Sequence, residues 1–309
     1  MPVPLLSVMH VNVNCSKLER SLAFYRDRVG LSPLTHTNPV PQKGEGFGLE
    51  GEVQWDAHLL HDARGFAGPA VDLLEWKRPG PTGRPYADAN HLGYFRLCFT
   101  HPDLAALHAR LSAAGVACRS EPHDVSIDPG SGLTARFFCA ADPDGSTVEF
   151  IELAGEPRMI HVNVNCSDLA RSSEWYQRVL GLEVIGHSSP GPVEGRGFGL
   201  AGSVEWRADF LALPGQSEHF VIDLHEWLEP KPVGRPYAEA NHLGLYRMAF
   251  LVEDAHACQE ALLAEGVECG PPVWLDMGDE IPIDGVWAIF FEDPDGTCLE
   301  LIQRPEIRE

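Results

Sequence analysis

The 309-residue sequence is poor in positive charge: 23 lysines and arginines stand against 45 aspartates and glutamates, a formal net charge of −22. Such a field repels phosphate backbones and anionic lipid headgroups, which argues against nucleic acid and membranes as partners. No stretch approaches the roughly 18 apolar residues of a spanning helix. Residues Met1 to His10 carry neither a basic stretch nor a long apolar one, so no secretory signal is expected. None of the eight cysteines (Cys15, Cys98, Cys118, Cys139, Cys166, Cys258, Cys269 and Cys298) belongs to a CxxC pair, which reads as reduced thiols in a cytoplasmic protein. GxSxG, Walker and HExxH motifs are missing and no GxGxxG follows a strand, so serine-hydrolase, nucleotide-binding and zincin readings have nothing behind them.

What is present is a repeat. His10–Ser16 (HVNVNCS) returns as His161–Ser167, and an offset of 151 holds without a gap to the C-terminus. Trp55 returns as Trp206, Trp76 as Trp227, Gly83–Ala87 as Gly234–Ala238, Asn90–Gly93 as Asn241–Gly244, and the turn at Asp142 as that at Asp293. About two positions in five are identical between the halves. The period is too long for a solenoid and fits two copies of one domain, 1–155 and 156–309. With 44% hydrophobic residues the chain has apolar material for two cores. Each half divides again. A strand at 8–15, a helix at Leu18–Val29 and further short strands end in Val71–Trp76. The order restarts with a strand at Tyr94–Phe99, a helix at Asp103–Ala114 and strands ending in Thr147–Leu153. The expectation is an α+β protein of four βαβββ modules, in which each half curls around its own cleft.

The strand at 8–15 has Val11 and Val13 on one face and His10, Asn12 and Asn14 on the other. The valines are expected to pack on helices, and Asn12, Asn14 and their counterparts Asn163 and Asn165 to face the cleft. Glu149 alternates with Val148 and Phe150 behind a turn. Taken singly, His10 is as readily a hydrogen-bonded strand histidine, and Glu149 a solvated strand carboxylate. Taken together, His10, His91 and Glu149 make a two-histidine, one-carboxylate set for a divalent ion (Fe2+, Mn2+, Ni2+ or Zn2+), and His161, His242 and Glu300 repeat it. Asp72 and Asp223 are further acidic candidates. Arg96 and Arg247 fall on the polar side of an apolar strand. A buried arginine needs an anionic partner, either a substrate carboxylate or a carboxylate such as Glu149 or Asp72. His36 and His187 correspond but have no supporting neighbours.

The run His-Val-Asn-Val-Asn-Cys-Ser-x-Leu-x-Arg-Ser-x-x-x-Tyr, followed by Gly-Leu, resembles the opening of vicinal oxygen chelate proteins. Asp-Pro-Asp-Gly-x-x-x-Glu resembles their closing metal strand. The superfamily includes glyoxalase I, extradiol dioxygenases, epimerases and metal-free drug-sequestering resistance proteins, and the resemblance covers nearly the whole chain twice. It implies two tandem glyoxalase-like domains. It matches His10 and His161 to a first-strand ligand, Glu149 and Glu300 to a last-strand ligand, and Asp72 and Asp223 to the place of a further carboxylate ligand. Counting back from the helix at Asp103 or Asp254, the remaining ligand position holds Arg96 or Arg247, five residues after His91 or His242. The tyrosine that serves extradiol enzymes near the last turn is matched by Cys139 and Phe290. The resemblance therefore favours a metal-dependent lyase or isomerase acting on a small oxygen-bearing substrate, with Glu149, Glu300, Arg96 and Arg247 catalytic. Ring cleavage and metal-free small-molecule binding are the alternatives, and a homodimer is compatible with all three.

Overall fold

The computed structural model describes residues 1–307. The first module holds β1 (Leu5–Asn14), α1 (Leu18–Phe24), β2 (Ser32–Thr37), the two-residue β3 (Gln42–Lys43), β4 (Glu52–His61) and β5 (Ala70–Arg78). The second holds β6 (Gly93–His101), α2 (Leu104–Ala113), β7 (His123–Asp128), β8 (Leu133–Ala141) and β9 (Thr147–Glu152). The third comprises β10 (Met159–Asn165), α3 (Leu169–Leu180), β11 (Glu183–Ser188), β12 (Val193–Glu194), β13 (Ser203–Ala212) and β14 (Val221–Glu229). The fourth comprises β15 (Gly244–Val252), α4 (Ala255–Ala264), β16 (Val273–Asp276), β17 (Gly285–Glu292) and β18 (Cys298–Gln303). No described helix is long and apolar enough to cross a membrane.

Three helices start where an aspartate can cap them: Asp103, Asp168 and Asp254 accept backbone N–H groups of the first turn. The helix expected over Leu18–Val29 is regular only to Phe24 and then widens into a π-turn, which Gly30 closes at φ 99°. The valines behave as their alternation requires. Val11, Val13, Val162 and Val164 are wholly buried, in one cluster with Leu18, Phe24, Leu107 and Tyr176 of the helical layer. Asn12 and Asn14 turn to the opposite, inner face.

The sheets do not coincide with the repeats. One runs β16-β17-β18-β15-β1-β5-β4-β2 and the other β11-β13-β14-β10-β6-β9-β8-β7. The first module thus shares a curled sheet with the fourth, and the second with the third. The expectation that each half curls around its own cleft is corrected. The join near residue 155 separates two homologous stretches of sequence, and each cup draws on both. Connection lengths give the physical reason. Six residues, 153–158, link β9 to β10, which are separated in the sheet only by β6. Six residues cross two strand spacings, roughly 10 Å, with ease. The connections inside each repeat, residues 79–92 and 230–243, are far longer and carry the chain from one sheet to the other.

Those two crossovers brace each other. Thr82 bridges His242, His91 bridges Val233, and four rings stack in the order His91, Tyr86, Tyr237, His242, with centroids 3.6, 3.9 and 3.8 Å apart. The imidazoles press so closely on Gly234 and Gly83 that a Cβ at either glycine would collide with a ring.

Candidate functional site: two arginine-clamped cups

The inner face of each sheet carries an ion cluster. In the first cup, Arg247 of β15 donates from Nε to Glu300 Oε2 of β18 at 2.7 Å and from Nη2 to Asp72 Oδ2 of β5 at 2.9 Å. His10 Nε2 of β1 stands 3.3 Å from Glu300 and 3.8 Å from Asp72, without hydrogen-bond alignment to either. Asn12 donates to Asp72 at 3.0 Å. The second cup repeats the arrangement. Arg96 of β6 donates to Glu149 of β9 at 3.0 Å and to Asp223 of β14 at 2.6 Å, and His161 Nε2 of β10 lies 2.8 Å from Glu149 Oε2.

The expected groupings are therefore re-sorted. His10 meets Glu300, and His161 meets Glu149, because the modules exchange partners between repeats. His91 and His242 join neither cup. Each turns Nδ1 to the carbonyl of its own successor, Leu92 or Leu243, and stacks on a tyrosine of the crossover. Arg96 and Arg247 find their anions inside the protein, with one carboxylate from each repeat. His36 bridges Asp56 and Glu280 at the far edge of the first sheet, and His187 pairs with Asp209.

Burial drives the Glu149 carboxyl up, but Arg96 and then His161 outweigh it and bring its pKa down from 4.5 to about 2. Glu300 moves in the same direction: Arg247 and His10 overcome burial. Both guanidinium groups are held even more firmly protonated than usual, since their two carboxylates outweigh desolvation. A carboxyl with a depressed folded-state pKa stabilises the fold above its unfolded pKa, and that contribution is lost as pH falls through the folded one. Acid unfolding followed by circular dichroism is thus expected to show stability falling between about pH 4.5 and pH 2. The slope should be shallower in Glu149→Gln, and an unchanged slope would show that this pair does not govern acid stability.

Above each cluster lies an aromatic lining: Phe47, Trp55, Trp76 and Phe290 in the first cup, Phe198, Trp206, Trp227 and Phe137 in the second. Beyond it the cups differ. A cavity of about 780 Å³ opens beside the first, bordered by Phe47, Tyr246, Gly270, Phe290 and Cys298. Phe290 also lies beneath Arg247, 6.0 Å from ring centre to guanidinium. In the second cup Arg119 stands where the first has Gly270. It fills the corresponding space, donating to Phe198 O at 3.2 Å and Thr147 Oγ1 at 3.0 Å while covering Phe95 at 5.3 Å. The strand rows differ as well. Across β10, β6, β9 and β8 the second sheet aligns His161, Cys98, Glu149 and Cys139. Across β1, β15, β18 and β17 the first aligns His10, Ala249, Glu300 and Phe290. Buried His225, between Trp206 and Trp227, replaces the Leu74 of the first cup. Cys98, His225 and Arg119 were missed as site residues, although comparing the repeats position by position marks each as a departure.

A model of the glyoxalase/bleomycin resistance protein/dioxygenase superfamily matches residues 7–150 and again 158–301, and the chain belongs to that family. Among solved structures it is similar to glyoxalase I from Zea mays, at 18% identity over 96% of this chain and 92% of that one, with a TM-score of 0.68. It is also similar to a putative dioxygenase from Bacillus subtilis, at 14% identity over 98% and 86% of the two chains, with a TM-score of 0.62. A comparison with curated proteins finds no match.

The resemblance implies a divalent metal at four positions, occupied here by His10, Asp72, Arg247 and Glu300 or by His161, Asp223, Arg96 and Glu149. These residues do not fit one. A guanidinium has no lone pair to give, stays protonated, and already neutralises the carboxylates a cation would need. Each arginine keeps one buried nitrogen, Nη1, without a partner, and Asn12 and Asn163 keep an unpaired Oδ1. Separately, Cys98, Glu149 and His161 bring their ligand atoms within 4.8 Å of one another.

Proposed function

We propose that the first cup binds a small oxygen-bearing molecule without a metal, with Arg247 as its cationic anchor. The observation that carries this reading is the buried, unpartnered Nη1 of Arg247. A buried donor left unpaired costs about 1–3 kcal/mol, a cost that a ligand carbonyl or carboxylate removes. Asn12 Oδ1 offers a matching acceptor for a hydroxyl or N–H, and His10, with both ring nitrogens unpaired, stands beside them to give or take a proton. The neighbouring cavity is large enough for a small organic molecule. Since Arg119 fills the equivalent space in the second cup, the expected stoichiometry is one ligand per chain.

A metal-assisted lyase or isomerase reaction, the reading the sequence favours, fits this cup less well. A dication held by His10 and Glu300 would have to displace Arg247 or lie against it. Ring cleavage of the extradiol kind would also lack a tyrosine, since Phe290 stands in its place.

The test uses chelator-treated protein and a panel of 2-hydroxy acids, 2-oxo acids and catechols. At least one should raise the melting temperature of the metal-free protein and titrate at one per chain. Arg247→Lys, which loses the planar two-pronged donor, should weaken it tenfold or more. A response that appears only when a divalent metal is restored would overturn the reading.

A further inference from the structure

The first sheet curls until its two edge regions meet, and what fastens them there differs from the twin. We infer that residues 277–284, the connection from β16 to β17, form a lid over the first cup that protonated His36 latches shut and that loosens when the proton leaves. The inference concerns access to the cup and does not rest on what Arg247 holds there.

The sheet ends in β16 on one side and β2 on the other. Gln42, on the short β3 beside β4, reaches across to β16: its Nε2 donates to Asp276 O and its Oε1 accepts from Asp276 N, both at 3.0 Å. Beyond Asp276 the chain lies against Asn38 and Pro39, so closely that a Cβ on Gly278 would stand 3.3–3.4 Å from their backbone. Met277 and Ile283 pack on the aromatic lining that contains Phe47 and Trp55. Opening these residues would therefore uncover the cup. The ionic tie is His36 of β2, with Nε2 2.7 Å from Asp56 of β4 and Nδ1 2.5 Å from Glu280 of the lid.

A neutral imidazole has one N–H and serves one carboxylate, whereas carboxylates at both nitrogens require the imidazolium, which has two. Burial pulls the His36 pKa down, but the bonds to Asp56 and Glu280 outweigh it and raise it above the ordinary value. His58 of β4, stacked on this ring at 4.3 Å, is pushed down by burial and then by His36, and stays neutral near pH 7. Lys77 of β5 stands 3.6 Å from Asp56. Asp279 and Asp284 add two more acids to the lid. When His36 releases its proton to solvent, Asp56 keeps Lys77, while the half-exposed Glu280 turns to water. The lid side of the bridge is the side that lets go.

The second cup is fastened without charge. Ser188 Oγ and Ser189 N donate to Ile127 O at 2.9 and 3.3 Å. Pro129 is the counterpart of Glu280, and His187, the counterpart of His36, pairs with Asp209 of the neighbouring β13. The equivalent loop, residues 126–133, is thus held by bonds that do not titrate near neutrality.

The repeat supplies the control within one chain. Amide hydrogen exchange of the full protein would be followed by mass spectrometry and corrected for the intrinsic effect of pH on exchange. Protection of residues 277–284 is expected to fall about fivefold or more between about pH 6 and about pH 9, while that of residues 126–133 stays level. Glu280→Gln, a change at an exposed position, should show the low protection already at the acid end, and so should His36→Gln, its fold verified by circular dichroism. Glu280→Gln should also lower the His36 pKa read by NMR of the imidazole protons. A level wild-type profile, an equal fall in residues 126–133, or a full pH response retained by Glu280→Gln would each overturn the inference.

Discussion

Arg247→Met is expected to destabilise the protein by about 3–5 kcal/mol, the cost of stranding buried charge by removing one partner of an ion pair. Arg247 closes a cluster whose acids come from strands on either side of β1: Asp72 on β5 and Glu300 on β18. Burial pushes the Glu300 pKa up, and without the guanidinium only His10 is left to oppose it, so the variant is expected to favour a protonated Glu300 in the folded state. The loss should therefore shrink as pH is lowered. It should also shrink in the triple variant Arg247→Met, Glu300→Gln, Asp72→Asn, in which no net charge is left behind. Urea denaturation of the three proteins decides the matter. A loss under about 1 kcal/mol for the single variant would place the cluster in the weak class of exposed pairs.

Trp227→Ala should cost a similar amount, about 3–5 kcal/mol, through lost burial and the cavity left behind. Trp227 is fully buried, edge-on to Phe198 at 5.4 Å and beside His225 at 5.0 Å. It also has a polar task. Its Nε1 donates to Asn165 Oδ1 at 3.1 Å, and Asn165 Nδ2 in turn donates to the carbonyls of Ala89 and His91 at 2.7 Å each. The indole thus ties the lining of the cup to a crossover connection. Trp227→Phe keeps most of the apolar volume and breaks only the bond, and is expected to fall between wild type and alanine in chemical denaturation. Equal losses for Phe and Ala would show that the hydrogen bond, and not the volume, sets the cost.

Local features were legible because they depend on residues close in sequence. Period-two alternation placed Val11 and Val13 against the helices and Asn12 on the inner face, and the capping aspartates marked the starts of α2 and α4. Partner choice was not legible. Arg96 meets Glu149, 53 residues away, and Asp223, 127 residues away, and no pattern along one strand says which distant strand will lie beside it. A repeat makes the ambiguity worse, since His10 could pair with Glu149 or Glu300 on identical local evidence. The short link between β9 and β10 was the one clue to the answer. The setting of His91 was not legible for a related reason: the stack with Tyr86 and Tyr237 forms only when both crossovers meet.

The exchange of modules has an evolutionary consequence. A half-chain ending near residue 155 would expose two unmatched strand edges, those of β1 and β6, and two such halves satisfy each other by swapping partners. The present chain is the covalent form of that pair. Once both copies lie on one polypeptide, a substitution alters one cup and spares the other, which a symmetric pair of identical chains cannot achieve. Gly270 against Arg119 and Ala249 against Cys98 are the marks of that freedom: the space beside one cup kept open, its counterpart filled.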